Sequence, residues 1–391
     1  MRITYRHQKV MMWSVVLLCL LAGARASPLQ LLNEEWTAFK LQHDARYGSV
    51  AEEARAREAF ENNRLAVARH NQRYALGLES YRTGLNKYSD LAPADFASRM
   101  NGFQPHARRQ RPARPVRYTQ DRSTVISKLH GTALSKLVQW GPITFCPAGR
   151  RGAAPAAGDL PGHKDWAAEG YVTSVKDQTS DCASCWAFAA AGALEGQVRR
   201  KGYKIEPLSA QNLVDCSTKF GNEGCKCGDT NRAFMYVYVN AGLDSEDTYP
   251  YEARDGPCRY DINGTYGWDD GFIDVNADNE TALQITVAEV GPVAAAIDAN
   301  GNFKDYKSGV YYNATCTTTV THSVLVVGYG TDEREGDYWL IKNSWGTTWG
   351  EAGYGKMARN RDNNCGIASF ASYPYLYDRM MTRHQTMINN N

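Results

Sequence analysis

Residues Ser184 to Gly202 have the sequence SCWAFAAAGALEGQVRRKG, and the rest of the chain is organised around this stretch. Apolar or small residues recur in it at helical spacing, which predicts an α-helix with one or more buried faces; they are Trp186, Ala187, Ala190, Ala191, Leu194 and Val198. Ser184 is a candidate N-cap. Cys185 then lies in the first turn, where free backbone N–H groups and the positive end of the helix dipole favour thiolate over thiol. The stretch therefore predicts a nucleophilic cysteine at the start of a buried helix.

The chain is long enough for several segments with different roles. It has 391 residues, of which 43% are apolar and 22% charged, so it can bury a sizeable core and exceeds one average domain. Basic residues precede the apolar run from Val10 to Leu21, and a small-x-small cleavage site ends at Ala26. Residues 1–26 are therefore predicted to be a signal peptide. The alternative, a membrane anchor, would need about 20 apolar residues, and no later stretch provides a stable membrane span.

A secretory route gives the ten cysteines and three sequons a common context. In an oxidising compartment cysteines are expected to pair. The sequons at Asn263, Asn279 and Asn313 predict surface glycosylation. The expected location is the secretory pathway, ending in the lysosome or the extracellular space.

A second long helix is predicted in the cysteine-free segment before Gln104. One stripe of this helix has spacings of three and four residues, which alone indicates only a packing face; it comprises Glu53, Arg57, Phe60, Asn63, Val67 and Asn71. The stripe resembles the interrupted E/R/F/N/I/N helix in the pro-region of papain-like cysteine proteases of the cathepsin L branch. The run Gly84 to Asp90 resembles the G-x-N-x-F-x-D element of that pro-region, with Tyr88 in place of Phe. Residues 27–104 are therefore expected to form a helical, inhibitory pro-domain.

Residues 105–159 are of a different kind. They are rich in arginine and proline over their first part, and most of them have no counterpart in the family. We expect a basic, exposed linker that contains the maturation region, with a mis-joined exon as the alternative. Residues 160–376 resemble the peptidase domain, and residues 377–391 form a C-terminal tail with no predicted role.

The nucleophile region lies in the run from Cys182 to Phe188, CASCWAF. A bare C-x-x-C pair could also belong to a thioredoxin-like redox site or to half of a zinc site. No βαβ pattern surrounds the pair, and no second pair has the right spacing and type. The run at a helix start instead resembles the nucleophile region of papain-like proteases.

A thiol nucleophile needs a base, and the base needs a group that orients it. His322 opens the run HSVLVVGYG, which is rich in β-branched residues and predicts a strand. Asn343 ends a second predicted strand, within KNSWG, and its side chain can accept from one imidazole nitrogen while the other faces sulfur. Trp345 could shield that hydrogen bond from water. The order of the three motifs along the chain is that of the family.

The oxyanion donor is expected to be Gln178. In the family the glutamine stands six residues before the nucleophile, but Gln178 is seven before Cys185, and Ala183 replaces a glycine. Either departure could shift the side-chain amide, and loss of such a donor can cost ~10² to 10³ in turnover. We expect a bulged loop that still delivers Gln178.

The resemblance also implies three disulfides, Cys182 to Cys225, Cys216 to Cys258, and Cys316 to Cys365. Cys227 is then left over, in a place where the family usually has glycine. Gly228 is retained at the position whose backbone pairs with substrate like an added strand.

Specificity is expected from the pocket for the second residue before the cut. By family position its walls are Thr230, Ala296, Val320, Ser323 and Phe370. Because Phe370 stands at the floor, the pocket is predicted to prefer medium aliphatic side chains over large aromatic ones. Walls of these residues could equally be ordinary core.

Together these features imply an α+β, papain-like two-domain fold preceded by the pro-domain, with a helical half, a β-barrel-like half and the site in the cleft between them. The predicted function is a cathepsin L-like cysteine endopeptidase made as a zymogen. Alternatives are a catalytically impaired homologue and a disulfide-bonded binding or inhibitory glycoprotein. Expected partners are protein substrates, the chain's own pro-domain and cystatin-type inhibitors, with no nucleic acid, cofactor or metal.

Charge suggests how the pro-region is released. Residues 160–376 contain 18 Lys and Arg against 29 Asp and Glu, whereas the whole chain has a net charge of +2. The two parts should therefore attract each other at neutral pH. Acid is predicted to weaken that attraction by protonating carboxylates.

Overall fold

The computed structural model describes residues 27–105 and 160–376. The predicted signal peptide (1–26), nearly all of the predicted linker (106–159) and the C-terminal tail (377–391) lie outside the described residues. The chain divides into two compact units, the first ending at Asn62 and the second beginning at Asn63.

The first unit contains helix α1 (Pro28–His43) and the beginning of helix α2 (Val50–Ala75). The rings of Trp36, Phe39 and Phe60 form a buried cluster, with the Phe39 and Phe60 centroids 4.9 Å apart. All six residues of the predicted stripe fall within α2, so the prediction of one long helix is confirmed.

The second unit begins with the remainder of α2, strand β1 (Tyr81–Thr83) and helix α3 (Pro93–Met100). Asn63 Nδ2 donates to the carbonyl of Ser89 at 2.8 Å and to that of Leu91 at 2.9 Å. Asn71 donates to the Thr83 carbonyl and accepts from the Thr83 N–H. These hydrogen bonds satisfy the two side-chain amides and connect the end of α2 to the segment that follows it.

After β2 (Lys164–Asp165), the helical half is built on α4 (Cys185–Arg200), with α5 (Ala210–Cys216) and α6 (Thr230–Asn240) packed against it. A small sheet pairs β3 (Leu243–Asp244) with β4 (Thr265–Gly267). Helix α4 thus lies where the sequence predicted it. Ser184 stands at the N-cap position, but its hydroxyl hydrogen-bonds to the Tyr251 hydroxyl at 2.7 Å and makes no capping bond, so that detail of the prediction is wrong.

The other half is a mixed sheet with helix α7 (Glu280–Glu289) against it. Its strands are β5 (Phe272–Asp274), β6 (Val293–Ile297), β7 (Tyr306–Tyr311), β8 (His322–Asp332), β9 (Gly336–Lys342), β10 (Tyr354–Ala358) and β11 (Ala371–Pro374). Short 3-10 helices span Ser217–Phe220, Ile262–Gly264, Gly301–Asp305 and Asn364–Gly366.

The strand order is β1-β7-β10-β9-β8-β6-β11-β5, with β2 paired to β8. Strands β7 and β10 run parallel, and the other neighbours in that order are antiparallel. The α+β class is confirmed. Over residues 27–105 and 160–376, however, the order ends at β1 and β5, so the expected barrel-like half is an open sheet.

Two buried clusters correspond to the two halves, one around Trp186, Leu194 and Phe234, the other around Trp339, Ile341 and Val326. The central strand β8 packs along α4 and carries His322 at its first position. Within the described ranges, no helix has the length and apolar character that a bilayer span requires.

Candidate active site

The starts of α4 and β8 bring Cys185 and His322 together. Each is the first residue of its element, and both side chains are fully buried. The N–H of Ser323, the next residue on β8, donates to Cys185 Sγ at 3.4 Å. The start of β8 therefore meets the start of α4 at the Cys185 sulfur, across 138 positions of sequence.

Asn343 follows the last residue of β9 and holds the imidazole. His322 Nε2 lies 2.9 Å from Asn343 Oδ1, which also accepts from the Ser344 N–H at 2.8 Å. Because this oxygen can only accept, Nε2 is the protonated ring nitrogen in this contact. The Trp345 ring is fully buried and its centroid lies 4.5 Å from that of His322, so the hydrogen bond is covered by indole.

The loop before α4 holds Gln178 with its amide directed into the site. The Ser344 hydroxyl donates to Gln178 Oε1 at 2.8 Å, which directs Nε2 towards the Met100 carbonyl, 3.3 Å away. Thr179, the next residue, has a φ of 61°, in the left-handed region that β-branched residues avoid. The loop thus contains a local distortion, and Gln178 is nonetheless buried beside the start of α4.

The last part of the predicted pro-domain, residues 84–105, forms a pro-segment, and its residues 102–104 cross this site as an extended chain. The Gly228 N–H donates to the Gly102 carbonyl at 2.8 Å, and the Gln104 N–H donates to the Gly228 carbonyl at 2.9 Å. On the opposite side, the Phe103 N–H donates to the Thr321 carbonyl at 3.0 Å. The strand-like pairing that the sequence predicted at Gly228 is made here by the chain's own pro-segment.

Two glycines make this close approach possible. A Cβ at Gly228 would lie 2.4 Å from the Trp186 indole, and a Cβ at Gly102 would lie 1.7 Å from the Ala183 carbonyl oxygen. Both distances are far shorter than van der Waals contact, so a side chain at Gly228 would collide with Trp186 and one at Gly102 would collide with the backbone of Ala183.

Phe103 fills the predicted specificity pocket. Its ring packs with Ala296, Val320 and Phe370, and the Phe103 and Phe370 centroids are 5.9 Å apart. Thr230 is buried at the first position of α6. Ser323 pairs with Ala296 across the sheet, but its backbone contact is with the Cys185 sulfur.

A second part of the pro-segment covers Trp345. The Phe96 ring meets that indole edge-on with centroids 5.0 Å apart, and Tyr88 lies 6.2 Å from it. Lys87 forms an ion pair with Asp177, the residue before Gln178. Sequence reasoning did not assign roles to Phe103 or Ser344, although Ser344 lies within the KNSWG motif.

Burial sets the protonation of the two central groups. It raises the pKa of Cys185 to about 11, although hydrogen bonds from the backbone N–H groups of Ser323, Gly102 and Trp186 act to lower that pKa. Burial also lowers the pKa of His322 to about 4, although the contacts with Asn343 and the Met100 backbone act to raise that pKa. Thiol and imidazole are therefore both neutral near pH 6. Desolvation thus opposes the thiolate that the helix terminus is expected to favour, as long as the site is covered.

The disulfides are Cys182–Cys225, Cys216–Cys258 and Cys316–Cys365, the pairs that the resemblance implied. Cys227 is a free, partly exposed thiol, and its Sγ donates to Gln104 Oε1 at 2.9 Å. Asn263 and Asn279 are exposed and Asn313 is partly exposed. Asn279 also caps α7 by accepting from the Ala282 N–H at 2.8 Å.

Comparison with known proteins finds two families in this chain. Residues 160–375 match the papain family cysteine protease domain, and residues 36–96 match the cathepsin propeptide inhibitor domain (I29).

Similar proteins share most of their length with it. A cathepsin L-like peptidase of Aedes aegypti and a cathepsin L of Sarcophaga peregrina are each 45% identical over 363 residues, which is 92% of this chain and 98% of theirs. Digestive procathepsin L 3 of the Tenebrio molitor larval midgut aligns with a TM-score of 0.72 and 35% identity, over 88% of this chain and 99% of that structure.

Proposed function

Because the chain belongs to the papain family of cysteine proteases, as a cathepsin L-like zymogen with its own inhibitory propeptide, we propose that its chemistry rests on Cys185 and His322. In the mature enzyme the two form a thiolate and an imidazolium. Asn343 orients the imidazole, and Gln178 with the Cys185 N–H stabilises the oxyanion. The result is hydrolysis of peptide bonds in proteins by an endopeptidase.

The reaction proceeds in two stages. The Cys185 sulfur attacks the scissile carbonyl carbon, and the carbonyl electron pair moves to oxygen. His322 gives its proton to the leaving amine as the C–N bond breaks, which leaves a thioester. Water, deprotonated by His322, then cleaves the thioester and releases the acid.

One observation carries the proposal: at the start of β8, His322 is hydrogen-bonded to Asn343 while the adjacent N–H contacts the Cys185 sulfur. A surface histidine or a structural core histidine would not combine these contacts with a free cysteine at a helix start.

The test is to acidify the purified zymogen and measure epoxide labelling together with cleavage of a dipeptidyl fluorogenic substrate. Cys185→Ser is expected to abolish both, because a hydroxyl is too weakly acidic to form the ion pair. Cys227→Ser is the matched control and keeps both. Turnover of the Cys185→Ser variant within tenfold of wild type would contradict the assignment, and a folded wild type without labelling would favour a binding glycoprotein.

We propose that an apolar residue stands at the second position before the cut. The apolar walls around Phe103 support this. The rank of aliphatic above aromatic side chains stays a prediction, and a phenyl ring in the pocket does not favour it. Substrates that differ only by Leu or Phe at that position decide the rank through kcat/KM.

We also propose that acid releases the pro-segment, followed by cleavage within residues 105–159. The Lys87–Asp177 ion pair supports an electrostatic contribution, although the contacts described around the cleft are mainly backbone and apolar. A Cys185→Ala chain, processed in trans, should bind its separated pro-region more weakly at pH 4 than at pH 7. Equal affinity at the two values would exclude the electrostatic account.

The predicted signal peptide and the exposed sequons support export and N-glycosylation, with a lysosomal or extracellular destination and cystatin-type inhibitors as plausible partners. Loss of mass on glycosidase treatment, mapped to Asn263, Asn279 and Asn313, tests the glycosylation. A chain whose peptides carry unmodified asparagine at all three would contradict it.

A further inference from the structure

Ser323 has a buried hydroxyl that makes no hydrogen bond of ordinary geometry within the described structure. The side chain is 1% exposed, and its Oγ has no hydrogen-bond partner among the described residues. An unpaired buried O–H destabilises a fold, so a native protein that retains one needs a reason.

The direction of this side chain follows from the strand. Residues two apart on a strand face the same side, and Leu325, two residues beyond Ser323, packs against Gly192 of α4. Ser323 therefore faces the same helix nearer its first turn, where Cys185 lies. Its own N–H already donates to Cys185 Sγ at 3.4 Å.

We propose that Ser323 is a further catalytic residue, whose hydroxyl donates a hydrogen bond to the Cys185 thiolate in the mature enzyme. This rests on the proposed function, since the thiolate exists only if Cys185 and His322 form an ion pair. A neutral thiol is a weak acceptor, whereas an anionic sulfur accepts charge-assisted hydrogen bonds. In the covered zymogen the hydroxyl makes no hydrogen bond of ordinary geometry, although it already acts on the Cys185 sulfur, and it gains a strong acceptor when the charge forms.

The hydroxyl lies close enough to Cys185 to lower the pKa of that thiol, although burial dominates in the zymogen. The nearby titratable groups on other elements are His322 on β8, the partner in the proposed ion pair, and Tyr251, whose pKa is raised by burial and by the charges of Asp177, Cys185 and Asp181. None of these changes when only the Ser323 hydroxyl is removed, so a comparison of variants isolates its contribution.

The experiment measures the rate of iodoacetamide alkylation of Cys185 against pH in the acid-activated enzyme. Ser323→Ala should shift the acid limb of this profile to higher pH by about one unit or more, because hydrogen bonds to charged groups have effects of that order. Ser372→Ala is the matched control: Ser372 is also buried, and its Oγ is likewise unpartnered in the described structure, but it lies on β11. That variant should leave the limb in place.

If the acid limb of the profile were unchanged in Ser323→Ala, the proposal would be overturned. Alkylation and cleavage by the wild-type enzyme would in that case still support the proposed function. A wild type that is folded but not alkylated would instead refute the proposed function. A crystal structure of the activated wild type gives a second test that needs no variant. Ser323 Oγ within hydrogen-bonding distance of Cys185 Sγ is expected, and a hydroxyl turned to water or backbone would refute the inference.

Discussion

Phe103→Ala in the pro-segment offers a sharp test of how the zymogen is held inactive. Phe103 is 8% exposed and fills the space between Ala296, Val320 and Phe370. Burial of a phenylalanine side chain contributes about 1.5–3 kcal/mol, and its edge-on contact with another ring adds about 0.5–1.5 kcal/mol. Truncation to alanine should therefore weaken the pro-segment by about 2–4 kcal/mol.

At 25 °C that loss corresponds to roughly a 30- to 1,000-fold higher inhibition constant. The assay is inhibition of the processed enzyme by a pro-region of residues 27–105, with and without the substitution. Phe103 lies beyond the last pro-region helix, α3, so circular dichroism of the two pro-regions should be the same.

Leu85→Ala is the matched control, because that leucine belongs to the same pro-region but is 40% exposed. It should change the inhibition constant little. If Phe103→Ala altered inhibition by less than threefold, the pocket would contribute little to inhibition, and the backbone pairing at Gly228 would have to account for it.

Three further results are expected. Burial raises the pKa of Asp244 to about 6, so the protonated form is favoured in the folded state and stability falls as the pH rises from about 4 to 6; Asp244→Asn should flatten that decline in the free energy of unfolding. If the decline in stability persisted in the variant, titratable groups other than Asp244 would be responsible for it. Gln178→Ala should lower kcat by ~10² to 10³ without preventing zymogen folding, whereas a loss below threefold would show that the distorted loop delivers no oxyanion donor. Cys227 should be alkylated in non-reduced zymogen, and mass mapping that found a Cys225 to Cys227 bond would contradict the three disulfides described here.

Sequence alone determined the elements whose signals are local. Helix α4 follows from apolar residues at helical spacing and lies within a residue or two of its predicted position, and the three- and four-residue spacing of the stripe from Glu53 to Asn71 correctly places that stripe on the longer helix α2. The three-motif order and the resemblance to the family's pro-region likewise sufficed to identify the protease and its propeptide.

Tertiary structure alone decided the state of the site. The N-terminal end of α4 favours a thiolate, but burial raises the pKa of Cys185, and Phe103, which packs in the same apolar cluster as Cys185, lies more than eighty residues earlier in the chain. The insertion of Phe103 beside Phe370 and the bond from Ser344 to Gln178 also join distant parts of the sequence. The periodicity of the sequence indicates which face of an element is buried. Burial by a remote segment exists only once the chain has folded, and so does its effect on the charge of a side chain such as Cys185.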